Sequence, residues 1–503
     1  MRARGYQTVV VGAGTAGCVV AARASERPDH TVLLLEAGPD YGPAQNLPRD
    51  LADASVNSLF MHDWGLRHRP TENHPPVRFP RGRVVGGSSA VNTCIALRGQ
   101  PRDFDEWADL GLPEWSWEKC LPFFKKLETD LDFDDEWHGR SGPLPVRRNR
   151  PDELVPWQAA FVEACERLGL DACPDHNRPG AYGYGPHAMN RIEGRRISAA
   201  DVYLTREARA RENLDVMGDA LVRRLRFRGR TVVGVEIERH GRVQTIAARR
   251  VVLAAGAIHT PGILVRSGVG PRAQVEGLGL ELVADNGAIG KRVLDHPGTA
   301  ILFRPKRGVS KPGDPLIQTV LRYQSAHGGE WSDMQIQPGS AMPLSWMNGF
   351  GVALMVPLGK PRGHGEMRWT RADPRARPDI HSRYFEDSTD LAQAVEGLEL
   401  AARLAEQPSM ARLAWPAWPW RSRLKRRDAL AEHAKTLCDS GYHPSGTVPM
   451  GPDDADWAAC DGFGRVRGVE GVVVADASLM PTITSSNTNV PTLMFGERFG
   501  DFL

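Results

Sequence analysis

The chain has no charge of one sign: 63 Lys and Arg face 61 Asp and Glu, for a formal net charge of +2 at pH 7. Nothing in that balance draws it to nucleic acid or to an anionic surface. No run approaches the roughly 20 apolar residues that span a bilayer, so no transmembrane segment is read. Met1-Arg2-Ala3-Arg4 leads straight into an apolar strand, leaving no separable signal peptide. The seven cysteines are odd in number and form no C-x-x-C, which argues against a disulfide framework or a zinc site. Cys18 and Cys94 read as small buried hydrophobes. His62, His68 and His74 recur every six residues, a spacing that shares no helix or strand face, so no metal site is read there. A cytoplasmic location is the simplest expectation. Internal repeats and low-complexity segments are also missing.

What remains is an ordinary globular composition, 41% apolar and 25% charged, over 503 residues. That length suggests about two to four domains. The apolar run Thr8-Val9-Val10-Val11 is followed by Gly12-Ala13-Gly14-Thr15-Ala16-Gly17, and a second run, Thr31 to Leu35, ends in Glu36-Ala37. An acid about 20 residues after such glycines marks a dinucleotide-binding β-α-β unit. Gly12 permits the tight turn, Gly14 the approach of a pyrophosphate, and Gly17 close helix packing. The helix start offers unpaired N–H groups to phosphate, and Glu36 suits a ribose diol. This motif alone does not choose NAD from FAD.

Two further strands of the same character end at Ala255-Gly256 and at Asp476-Ala477. The first is expected to lead into a helix entered through Thr260-Pro261. Strands this far apart predict one sheet and a discontinuous domain. Residues 230–237 and 241–246 read as a hairpin. The stretches 152–190 and 300–430 lack nucleotide signals and suit a substrate domain. There Ser332 to Gln337 alternates as a strand, with Gln335 and Gln337 on one face that lines a cavity or meets water. Trp64 and Tyr442 are candidate pocket walls, with ordinary packing as the other reading. Trp415-Pro416-Ala417-Trp418-Pro419-Trp420, followed by the basic run 421–427, is either a packed loop and solvated helix start or a docking surface for a partner, an electron acceptor or an anionic face.

Four segments share a resemblance. Arg81-Gly82-Arg83-Val84-Val85-Gly86-Gly87-Ser88-Ser89-Ala90-Val91-Asn92, the stretch Gly256 to Gly270, Tyr442-His443-Pro444-Ser445-Gly446-Thr447, and Ser486-Asn487-Thr488-Asn489-Val490-Pro491-Thr492 follow one another as in the glucose–methanol–choline (GMC) oxidoreductases. With the glycine turn they cover nearly the whole chain. The resemblance implies an α/β protein, α+β overall. Its Rossmann-like FAD-binding domain is discontinuous (1–151, 191–299 and 431–503), and its substrate-binding domain (152–190 and 300–430) is built on an antiparallel sheet. It implies oxidation of a primary alcohol to an aldehyde, with hydride passing to flavin N5 and electrons then to oxygen or another acceptor. A lyase of the hydroxynitrile-lyase type, or light-driven fatty-acid decarboxylation, is the alternative on the same fold.

The family match makes His443 the general base, a task that suits imidazole. It makes Asn489 the orienting amide, with Asn487 as rival. Cofactor contacts are implied for Gly12, Gly14, Thr15, Ala16, Gly17, Glu36, Ala37, Arg83, Val85, Gly86, Ser89, Asn92, Thr93, Cys94 and Ile95. They are implied also for Val222, Ala255, Gly256, Tyr442, Asp476, Ala477, Asn487 and Thr488. Some choline-oxidising relatives carry, at the position of Val91, a histidine bonded to the flavin. Valine has no nucleophile, so FAD is expected to be held without a covalent bond.

Overall fold

The computed structural model describes residues 5–55, 57–329, 332–344 and 349–502; Met1-Arg2-Ala3-Arg4 lie outside them. The first strand, Tyr6–Val11, pairs in parallel with Val32–Leu35 on one side and with the end of Arg242–Leu253 on the other. Leu214–Met217 extends one edge, and Val472–Val474 pairs with Arg242–Leu253 in parallel. The expected sharing of one sheet by runs near 8, 32, 251 and 472 therefore holds. Arg242–Leu253 does two jobs. Its first half closes the antiparallel meander Ala220–Arg228, Thr231–Arg239 and Arg242–Leu253, and its last residues join the parallel strands. The hairpin read from the sequence is the second turn of this meander.

Val9, Val10, Val32, Leu33, Val251 and Val252 have no exposed surface, as expected for parallel strands covered on both faces. The helix Thr15–Ala24 packs against the last helix, Asn489–Phe502, so the two ends of the chain meet. The contact is close because Gly496 has no side chain: a Cβ there would lie 2.6 Å from Val19 Cβ. Arg23 reinforces it, donating to the buried Glu497 carboxylate at 2.8 Å.

One expectation needs correction. The helix after Arg242–Leu253 begins at Gly256, and Pro261 lies inside it. A proline within a helix leaves the carbonyl four residues earlier without its N–H partner. Here the carbonyl of Ala257 instead accepts the Thr447 hydroxyl at 2.7 Å, so it is not left unpaired.

The second sheet is antiparallel, in the order Ala414–Trp418, Pro297–Pro305, Gly349–Pro357, Met334–Leu344, Thr319–Tyr323 and Gly183–Pro186; Cys438–Ser440 also pairs with Pro297–Pro305. Its own apolar core gathers Trp157, Phe161, Ile336, Leu354 and Leu398. The boundary expected at 431 falls inside the helix Arg427–Thr436, whose Leu430 and Ala434 belong to this second core. Trp415 and Trp420 are exposed, and Arg423, Arg426 and Arg427 are paired with Glu432, Asp428 and Glu399.

Candidate active site

A cavity of about 860 Å³ runs from the glycine turn to the second sheet. Four of the five parallel strands deliver residues to it at their C-terminal ends: Gly12 after Val11, Glu36 after Leu35, Ala254 to Gly256 after Leu253, and Asp476 after Val474. Ligands collect at that edge of open α/β sheets. The turn is sterically obligate for glycine. Gly12 has φ +97°, and a Cβ there would meet Ala254 O at 2.5 Å; one on Gly17 would meet Gly12 O at 1.9 Å. By contrast, a Cβ on Gly14 would meet nothing closer than 3.8 Å, so the space before the helix is open. Among the described residues no side chain caps that helix, which leaves its first N–H groups for an anion. Glu36 accepts N–H bonds from Ala13 and Gly38, and burial pushes its carboxyl up to about 7.

Thr15, Ala16, Ala37, Asn92, Thr93, Ile95, Val222, Ala255, Ala477 and Thr488 also line the cavity, as do Trp64, Gln335, Gln337 and Tyr442. Gly17, Arg83, Val85, Gly86, Ser89 and Cys94 do not, for local reasons. Gly17 is spent on helix packing. The N–H of Val85 donates to Pro39 O, and Gly86, at φ +102°, donates to Ala13 O at 2.7 Å. Ser89 Oγ donates to Gly86 O and accepts from Ala199 N–H. Cys94 is fully buried, and Arg83 lies over the Trp64 ring with its guanidinium reaching Ala37 O. Gly87 and Ser88 reach the cavity from this loop instead.

His443 stands where the nucleotide sheet's strand ends meet the second sheet. Its backbone N–H donates to Asp295 Oδ1 at 3.0 Å. The same carboxylate accepts from Tyr384 OH, Ser440 Oγ and the N–H of His296, a hub that fixes the loop. His443 Nε2 meets Asn487 Nδ2 at 3.1 Å, and its Nδ1 meets His296 Nδ1 at 2.8 Å. Burial pushes the His443 imidazole well below its ordinary pKa, and the positive charge of Arg81 acts in the same direction. Both effects favour the neutral imidazole.

The amide beside His443 is thus that of Asn487, not Asn489. The reason is the backbone: strand-like alternation would turn both side chains one way, but the last helix begins at Asn489. Asn489 instead accepts the Thr15 hydroxyl at 3.1 Å, beside the glycine turn, and its buried Nδ2 has no partner among the described residues. His296 was not picked out in the sequence; Asp295-His296-Pro297 carries no spacing signal, and only its place beside Cys438–Ser440 brings it to His443.

The interior of the second-sheet side is apolar, walled by Leu302, Leu316, Ile317, Met342 and Met355, with Gln335 and Gln337 as its amides. Gln337 Nε2 donates to Gln335 Oε1, whose own amide donates to Ser485 O. Asp439 sits at the exposed mouth, where His68 and the Tyr442 hydroxyl hold it. Among the described residues, Glu128, Asp130 and His138 have ligand atoms within 4.8 Å of one another. Arg98 and Arg148 bond those carboxylates directly, placing two positive charges where a cation would go.

A dinucleotide turn facing an imidazole–amide pair across one cavity defines a nucleotide-dependent oxidoreductase. Family models of the GMC oxidoreductases match residues 6–298 and 361–496. The chain belongs to that family, and it is an FAD-dependent oxidoreductase acting on CH–OH groups. It is 34% identical to 5-(hydroxymethyl)furfural oxidase from a Methylovorus species, over 99% of this chain and 98% of that one. It is 33% identical to oxygen-dependent choline dehydrogenase from Brucella anthropi, over 98% and 95% of the two chains. The structure of pyridoxine 4-oxidase from Mesorbium loti superposes with a TM-score of 0.91 at 28% identity, covering 99% of each chain. No helix among the described residues is long and apolar enough to cross a membrane.

Proposed function

We propose that the protein oxidises an uncharged primary alcohol to its aldehyde, with non-covalently held FAD, His443 as base and Asn487 as the amide that orients the oxygen. The observation that carries this is the 3.1 Å approach of Asn487 Nδ2 to His443 Nε2, in the same cavity as the glycine turn. The residues present fit FAD: the open space before Gly14, the uncapped helix start and the unpartnered Asn489 Nδ2 await an anionic, acceptor-rich group. Once bound, FAD supplies a hydride acceptor. The chain supplies the rest. A hydroxyl entering between Asn487 and His443 takes the amide N–H as acceptor and gives its own proton to Nε2. Apolar walls such as Leu302 and Met355 exclude water and favour an uncharged substrate, in keeping with relatives named for furfural and pyridoxine oxidation.

One observation favours a second substrate class. Asp439 beside Tyr442 at the mouth is an acid next to an aromatic face, which suits a cationic alcohol. A panel of benzylic, furanic and quaternary-ammonium alcohols, read by anaerobic bleaching of the flavin, decides between the two. Oxygen or a dye as second substrate then identifies the acceptor class. A lyase or a light-driven decarboxylase accumulates no reduced flavin in that assay, so a panel without bleaching overturns the alcohol reading.

Acid denaturation is expected to release intact FAD into the supernatant, because Val91 lines the cavity without a nucleophile. Yellow colour retained in the precipitated polypeptide refutes non-covalent binding.

A further inference from the structure

His296 lies at the junction where the chain enters the second sheet, buried, and it meets the ring nitrogen of His443 that Asn487 does not. The carbonyl of Thr484 has only lone pairs to offer, so His296 Nε2, at 2.8 Å, carries the hydrogen. Burial pushes the His296 imidazole below its ordinary pKa and keeps it neutral. A neutral ring has one N–H, so its Nδ1 is a lone pair. His443 Nδ1, 2.8 Å from that lone pair, must then be the donor. This leaves His443 Nε2 as the free lone pair, and the Asn487 amide, whose Nδ2 faces it, donates to it. Each proton in the row is set by the carbonyl at its end.

We propose that His296 is a positioning residue that locks His443 in the Nδ1–H tautomer, so that Nε2 faces the substrate hydroxyl as a base. Its catalytic consequence rests on the alcohol-oxidation reading; the tautomer itself does not. In the step concerned, the substrate O–H bond breaks and an Nε2–H bond forms. The imidazolium of His443 then donates its Nδ1–H to the His296 lone pair. The orienting partner is a neutral acceptor rather than a carboxylate, since Asp295 spends its oxygens on Tyr384, Ser440 and the two backbone N–H groups. A neutral partner raises the basicity of His443 less than an ionised one and leaves a base that is free at neutral pH. The charged groups around the pair are Arg81 near His443, and Asp295, Asp103 and Lys360 near His296.

The test uses full-length, FAD-loaded protein labelled with ¹⁵N-histidine, the His443 ring being assigned by comparison with His443→Gln. Long-range proton–nitrogen correlation is expected to show Nδ1 protonated and Nε2 bare. The opposite tautomer in the wild-type protein overturns the proposal, whatever the variants do. In the kinetic arm, His296→Phe is expected to slow anaerobic flavin reduction at least about tenfold, the order of a misplaced reacting group. It is also expected to move the acid limb of the pH profile. His296→Gln, whose amide both accepts from His443 and donates to Thr484 O, restores much of the rate and the limb. A merely structural role predicts neither the shift nor the rescue, and an unchanged rate and profile in His296→Phe overturns the proposal. If no alcohol bleaches the flavin, the alcohol reading falls while the tautomer is still decided by the spectrum.

Discussion

Replacing His443 by alanine is expected to lower the rate constant of flavin reduction by about 100- to 10,000-fold, the range for a lost general base. FAD content is expected to stay the same, because His443 holds its place through backbone contacts to Asp295 and alanine keeps the N–H that makes them. Rapid mixing of the reduced substrate with oxidised enzyme under anaerobic conditions isolates the step. The pH dependence of the wild-type enzyme supplies a second check. Burial depresses the pKa of His443, so the neutral base dominates at and above neutrality. The reduction rate should therefore be flat there and fall only as the pH drops through that depressed value, where the ring gains its proton. A histidine titrating near its ordinary 6.5 or above would lose rate already close to neutrality. An unchanged rate in His443→Ala removes this residue from the chemistry.

The nucleotide half of the fold was legible because its constraints are local and steric. Gly12 and Gly17 are demanded by contacts shorter than any Cβ allows, and the apolar runs at 8–11, 32–35, 251–253 and 472–474 are buried on both faces. Such positions leave a clear mark in sequence. The helix at Gly256 was misread because Pro261 normally marks a helix start, and the hydroxyl that satisfies Ala257 comes from Thr447, far along the chain. His296 was missed for the same reason: its partners, His443 and Thr484, lie 147 and 188 residues away. The resemblance implies cofactor contacts at Gly86 and Ser89, yet these two are consumed in holding Ala13 and Ala199, and of the Gly86–Ser89 turn only Gly87 and Ser88 face the cavity. What the sequence hides is which of two adjacent polar groups is turned outward.

That difference matters most at the two asparagines. Asn487→Asp is expected to slow flavin reduction by about 100- to 1,000-fold, the cost of one lost donor to a developing oxyanion. Two effects add. A carboxylate places a like charge beside the forming alkoxide, and it accepts from His443 Nε2 instead of donating to it, which holds a proton on the base. Asn487→His keeps a neutral donor and should retain part of the rate. Asn489→Asp should fail differently. Its side chain lies against Thr15 at the glycine turn, so a negative charge there opposes an anionic cofactor and lowers FAD retention. Per bound flavin, its reduction rate should be little changed. The comparison therefore needs two numbers for each variant: FAD per polypeptide, and reduction rate per FAD. Should Asn489→Asp be the slower per flavin while Asn487→Asp reduces normally, the orienting amide is Asn489, and the contact between Asn487 and His443 serves only to hold the ring.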